Sequence, residues 1–159
     1  MLAGCILLSL GTLLFCRAYS RYLSFGVLLS DGFLEYLTTL KEAVSNYSVT
    51  PEKARENFKN NTLEKVGFLE LLDTGKSHAE AFSELKNRTS IPREVSDALD
   101  EYFRGLGRRF RDCELASLER AIGTLERVIP PLKEKAEKDS KSVYAVAFAI
   151  CLGFIILVI

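Results

Sequence analysis

Two triplets near the middle of this 159-residue chain spell fragments of reaction centres. Asp73-Thr74-Gly75 is the aspartic-protease triplet. That chemistry needs two carboxylates sharing one proton and presented on β-structure; the chain has one copy, in a stretch patterned as helix. Gly75-Lys76-Ser77 spells the end of a P-loop. The full motif requires glycine five residues before Gly75, where Glu70 stands, and no strand leads into it. A loop between two helices, with Gly75 closing the first and Ser77 capping the second, accounts for residues 73–77.

His78 is the only histidine, and the cysteines do not complete a zinc set around it. It reads as an exposed first-turn residue. Cys5, Cys16 and Cys151 sit in or beside apolar stretches and only Cys113 lies in the charged middle, so they read as packing residues in a reducing compartment. No serine or cysteine has an evident base partner. Asn46-Tyr47-Ser48, Asn60-Asn61-Thr62 and Asn87-Arg88-Thr89 match the glycosylation triplet, which a cytoplasmic domain would not use. The expectation is a non-enzyme with no catalytic, cofactor-binding or metal site.

Charge is unevenly placed. All 21 Lys/Arg and all 21 Asp/Glu lie between Arg17 and Lys141. Arg104, Arg108, Arg109 and Arg111 form the densest basic cluster, but Asp97, Asp100, Glu101, Asp112 and Glu114 surround it. Without an uncompensated positive field, nucleic acid is not an expected partner.

The two ends are free of charge. Val143 to Ile159 is seventeen residues, eleven of them Val, Ile, Leu or Phe. At roughly −0.3 to −0.6 kcal/mol each, these favour the bilayer by a few kcal/mol, and at ~1.5 Å per residue they reach roughly 25 Å. Met1 to Cys16 has eight Leu, Ile or Phe, diluted by Gly4, Ser9, Gly11 and Thr12. It lacks the basic start of a signal peptide, and Leu2-Ala3-Gly4-Cys5 has no apolar stretch before it to make it a lipoprotein site. Arg17 and Arg21 follow the first segment; Lys133, Lys135, Lys138 and Lys141 precede the second. Positive flanks stay cytoplasmic. The expected organisation is a transmembrane helix at 1–16, a cytoplasmic helical bundle at 17–142 and a transmembrane helix at 143–159, with both termini outside.

The middle reads as helices joined by short breaks. Asp31-Gly32 is a turn signal. Phe33, Tyr36, Leu37 and Leu40 then share a helix face. Thr50-Pro51-Glu52 is a helix start. Ser77-His78-Ala79-Glu80 fits a capping box ahead of Ala81, Phe82 and Leu85. Pro92 opens a helix with Val95, Leu99, Tyr102, Phe103 and Leu106 on one side, interrupted at Gly105-Leu106-Gly107. Leu115, Leu118, Ile122, Leu125 and Ile129 form a packing seam, which Pro130-Pro131 should break. No strand alternation is present. The fold class expected is all-α, an antiparallel bundle.

Several of these features together resemble the stage III sporulation protein AB family of spore-forming Firmicutes. Tyr47-x-x-Thr50-Pro51 is similar to the family's tyrosine–threonine–proline signature. Gly75 ahead of Ala81-Phe82-x-x-Leu85 resembles its glycine and alanine–aromatic–x–x–leucine. Tyr102 to Gly107 resembles its leucine–glycine stretch, and Leu118 to Leu132 with the lysine-flanked Gly153 segment resembles its terminal helix pair. Glu52 replaces the leucine usual after the proline, and Arg108 to Glu114 departs from the aspartate and glutamine usual there. The resemblance implies a non-enzymatic membrane platform, similar to half of the inner-membrane platform protein of type II secretion and type IV pilus machines. It would belong to the channel between mother cell and forespore, with its middle domain on the mother-cell side. Partners implied are a separate sporulation ATPase, stage III sporulation protein AA, other channel subunits and the membrane. A signalling adaptor, or a small membrane enzyme acting on lipid or peptidoglycan, is the competing expectation.

Overall fold

In the computed structural model the described residues are 2–47, 53, 55, 58–107 and 110–158, without the side chains of 2–3, 5–9, 46–47 and 154–158. Among them every element is an α-helix: α1 (Leu2–Tyr47), α2 (Asn61–Lys65), α3 (Phe68–Asp73), α4 (His78–Arg88), α5 (Arg93–Gly105) and α6 (Arg111–Val158). The all-α expectation holds. The chain divides into two compact units, one made of Met1–Phe25 with Pro131–Ile159, the other of Gly26–Pro130.

The Gly26–Pro130 unit is built on the face that recurs every three or four residues of α1. Phe33, Tyr36, Leu37 and Leu40 are fully buried. Phe33 meets Phe68 of α3 edge-on at 5.0 Å and Phe82 of α4 at 5.4 Å between ring centres. Tyr36 meets Phe58 at 5.0 Å and Phe68 at 5.8 Å. Phe103 of α5 closes the cluster against Phe82 at 5.5 Å. Edge-to-face geometry sets ring hydrogens against π-faces and adds about 0.5–1.5 kcal/mol per pair beyond area burial. From α6, Leu118, Ile122, Leu125 and Ile129 are buried as the seam spacing requires.

Two glycines expected or able to break α1 instead lie inside it. The turn expected at Asp31-Gly32 is absent, because α1 runs through both residues. A Cβ on Gly32 would lie 3.2 Å from Asn60 Oδ1 and 3.3 Å from Leu63 Cγ. The glycine therefore lets α2 lie close against α1. Asn60 occupies the junction: its Oδ1 accepts from the Thr62 and Leu63 amides at 2.9 and 3.0 Å, and its Nδ2 donates to Glu35 Oε2 at 2.7 Å. Gly26 is tighter still, since a Cβ would sit 2.7 Å from the backbone oxygen of Ser90. Gly26→Ala is expected to cost about 1–3 kcal/mol through forced backbone movement, read as a lowered denaturation midpoint of the full chain.

The break expected at Pro130-Pro131 is also absent, as α6 continues through both prolines. Each proline removes one amide donor and leaves the carbonyl four residues earlier without its helical partner. Those carbonyls belong to Glu126 and Arg127, which are exposed, as are the prolines. The prolines thus lie on the solvent side of the helix, where carbonyls without a helical partner are tolerated best. The start expected at Thr50-Pro51-Glu52 lies outside the described residues.

In the other unit the two helical segments run antiparallel, with Cys16 Sγ donating towards Val143 O at 4.0 Å and the hydroxyls of Ser20 and Ser140 bonded at 2.7 Å. Among the described residues no helix is long and apolar enough to cross a membrane.

Candidate functional site

The segment from Asp73 to Glu80 is a structural joint. Gly75 adopts φ +87°, a left-handed conformation that costs other residues a Cβ clash. Its N–H bonds Leu72 O at 3.0 Å and the Lys76 N–H bonds Leu71 O at 3.3 Å, the paired bonds of a Schellman motif closing α3. Ser77 then accepts from the Glu80 amide at 3.3 Å while Glu80 Oε2 accepts from the Ser77 N–H at 3.0 Å. This is the reciprocal capping box expected from the sequence. Asp73 pairs with Arg55 at 3.0 Å, and Arg55 also donates to Leu72 O. Lys76 pairs with Glu84. Asp73 thus ties α3 to Arg55, Thr74 Oγ1 donates to Leu71 O within α3 at 2.7 Å, and Lys76 and Ser77 bond to residues of α4.

The bonds from Ser77 hold the Glu80 carboxyl below the usual carboxylate range. A group whose acidity rises on folding stabilises the fold fully above its unfolded value, and that contribution disappears as pH falls through the lower, folded value. The start of α4 is therefore expected to loosen only below the ordinary glutamate range. Ser77→Ala should cost about 1 kcal/mol of stability and remove most of this acid-limb dependence, as measured by denaturation at several pH values.

His78 is a correction to the exposed residue expected. It is buried, with Nε2 2.6 Å from the Tyr36 hydroxyl. Its ring stacks on Tyr36 at 5.9 Å and on Phe103 at 5.7 Å. The capping box sets the first turn of α4 so that the residue after Ser77 points at α1 rather than at solvent. Its single ring among aromatics makes a polar peg in the core, joining α1, α4 and α5.

The arginine cluster is divided. Arg104 is exposed at the end of α5. Arg108 and Arg109 lie outside the described residues. Arg111 donates to Val44 O at 3.2 Å and Ser45 O at 2.6 Å, satisfying carbonyls in the last turn of α1. It ties the end of α1 to the start of α6, beside the Lys41–Glu119 ion pair at 3.0 Å. Phe110, next to it, is 89% exposed. Cys16 is buried, Cys151 half-buried and Cys113 exposed, all as free thiols. Asn60 of the second glycosylation triplet is a helix cap. No cluster of three metal-ligating side chains occurs among the described residues.

A groove of about 330 Å³ lies between α5 and α6, with Glu94, Asp97 and Glu101 on one wall and Arg120 and Arg127 on the other. Its walls carry opposite charges, Arg120 lying 3.9 Å from Glu101. The feature that departs furthest from an ordinary water-soluble helical domain is the antiparallel pair formed by Met1–Phe25 and Pro131–Ile159. Its seam holds Thr12, Cys16 and Ser20 from α1, and Ser140, Val143, Ala147 and Cys151 from α6, all buried or half-buried. Its outside carries Leu10, Leu13, Leu14, Phe15, Phe148, Ile150 and Leu152, all exposed. Small residues are not confined to the seam, since Gly11, Ala18, Ala145 and Ala149 are exposed too. Sequence reasoning located the two apolar segments but not which residues line the seam and which large apolar ones stay outside. The i, i+4 spacing of Thr12, Cys16 and Ser20 was the available signal. The chain matches no protein-family model, no curated protein and no solved structure.

Proposed function

We propose that the chain is a two-pass membrane protein that presents the Gly26–Pro130 bundle in the cytoplasm as a non-enzymatic platform for protein partners. The observation that carries this reading is the apolar outside of the antiparallel pair, where Leu10, Leu14, Phe15, Phe148 and Ile150 are exposed while Thr12, Cys16, Ser20 and Ser140 line the seam. In water, helices pack by hiding their large apolar side chains, so small residues in the seam and leucines and phenylalanines outside would be the wrong way round. In lipid there is no drive to hide them. Close approach of backbones and hydrogen bonds across the seam then decide the packing, which favours small and hydroxylic residues there. Ser20–Ser140 and Cys16–Val143 are contacts of that kind.

The charge-free stretches Met1 to Cys16 and Val143 to Ile159 supply the spans, and the basic residues at Arg17, Arg21 and Lys133 to Lys141 keep the middle in the cytoplasm. The resemblance to the stage III sporulation protein AB family supports a more specific role. The chain would be an assembly component of the mother cell–forespore channel, on which a sporulation ATPase and other channel subunits dock. The bundle's ion pairs and caps, consumed in holding helices together, agree with a scaffold rather than a catalyst.

A reporter active only outside the membrane should work when fused after Ile159 and fail when inserted at Lys86–Asn87 on α4. Full-length protein pulled down from sporulating cells should bring the ATPase with it. The reverse reporter pattern would refute the topology, and a pulldown without the ATPase or channel subunits would refute the platform role.

A further inference from the structure

The formal charge of zero hides a division between the two units. Met1–Phe25 with Pro131–Ile159 holds six basic residues, Arg17, Arg21, Lys133, Lys135, Lys138 and Lys141, against three acids, Glu134, Glu137 and Asp139, a net +3. Gly26–Pro130 is therefore net −3. All six basic side chains are exposed.

Their heights along the antiparallel pair can be compared, because Cys16 faces Val143 and Ser20 faces Ser140. Arg17 and Lys141 mark the level at which charge begins on each helix. At ~1.5 Å per residue, Arg21 and Lys138 lie within about 6 Å of that level, inside a Debye length of roughly 8 Å. Lys135 and Lys133 lie about 9 and 12 Å away, beyond it. Tyr19, Tyr22 and Tyr144 stand exposed around the same level, where rings with an apolar body and a polar tip favour the bilayer interface. Of the four near cations, Lys141 pairs with Glu137 at 2.8 Å. Among the described residues, Arg17, Arg21 and Lys138 make no ion pair; Asp139 stands at the same level, so with Glu137 the four cations keep a net +2.

We propose that Arg17, Arg21, Lys138 and Lys141, ringed by Tyr19, Tyr22 and Tyr144, form a collar that binds the headgroups of anionic phospholipids such as phosphatidylglycerol. The proposal rests on the membrane reading above and adds the lipid class. Guanidinium and ammonium groups spread over two helices at one depth match phosphodiester headgroups in a leaflet plane.

The test reconstitutes full-length protein from detergent into phosphatidylcholine vesicles. Each sample carries a trace of spin-labelled phosphatidylglycerol or spin-labelled phosphatidylcholine, and the immobilised fraction of label is measured. A roughly fivefold preference for the anionic label is expected, the factor for about one basic side chain at the surface. It should vanish at about 1 M salt, where the Debye length is ~3 Å, and in the R17Q/R21Q/K138Q/K141Q variant. Inserted protein that immobilises both labels equally overturns the collar, as does a preference that survives either salt or the four substitutions. Protein that is washed from both vesicle preparations by alkali overturns the membrane reading itself.

Discussion

Phe33→Ala is expected to remove a large part of the stability of the Gly26–Pro130 unit. Phe33 is fully buried and touches rings on three other helices: Phe68, Phe82 and Phe103. Truncating a buried phenylalanine costs about 3–5 kcal/mol, part from lost transfer free energy and part from the cavity left behind. Such a unit has roughly 5–15 kcal/mol in total. The cavity would open where α1, α3, α4 and α5 meet, and rings held edge-to-face cannot slide to fill it without losing their own geometry. The measurement is denaturation of the full-length chain in detergent, followed by circular dichroism. In the variant the phase assigned to the bundle should move to a clearly lower temperature, while the helical signal from the antiparallel pair is kept. Phe33→Leu, which retains most of the volume, should fall between it and the natural protein. An alanine variant that melts with the natural protein would show that the cluster does not hold the bundle together.

On the membrane reading proposed above, Ile150→Arg is expected to keep the second apolar segment out of the bilayer. Ile150 is half exposed, on the outer side of the pair, near the middle of Val143 to Ile159. An arginine at the centre of a span costs about +2.5 to +3.5 kcal/mol where isoleucine contributes roughly −0.3 to −0.6. The change is comparable with the whole drive supplied by the segment. A reporter fused after Ile159 and active only outside should lose at least about tenfold of its signal, since ~1.4 kcal/mol is already a factor of ten. In water the same substitution, at a side chain already facing solvent, would be neutral. Full reporter activity from the arginine variant would therefore place this face against something other than hydrocarbon.

Local sequence rules served where the determinants are local. The Phe33 face, the capping box at Ser77 and Glu80, the start after Pro92 and the stop at Gly105 each depend on residues within a few positions of one another. The failures share the opposite character. Glycine at position 32 signals a turn or a close approach with equal force, and only the arrival of Asn60 and Leu63 selects the second. His78 is buried because Tyr36 and Phe103, remote in sequence, close over it. Pro130-Pro131 breaks a helix only if the carbonyls it orphans have no water, and their exposure depends on what packs elsewhere. The joint at residues 73–77 was legible in the same sense as the local elements: Gly75 closes one helix and Ser77 caps the next, as their neighbours in sequence require. The inward sorting of Thr12, Cys16, Ser20 and Ala147 could not be read from hydropathy, which averages over a segment and discards the direction in which each side chain points.

The claim on which the proposed function turns is that the outward-facing leucines and phenylalanines of the antiparallel pair meet lipid. Membranes from cells expressing the full-length chain, washed with alkaline carbonate and sedimented at high speed, measure this most directly. The protein should remain in the pellet and come away only with detergent; its release into the supernatant without detergent would contradict the account.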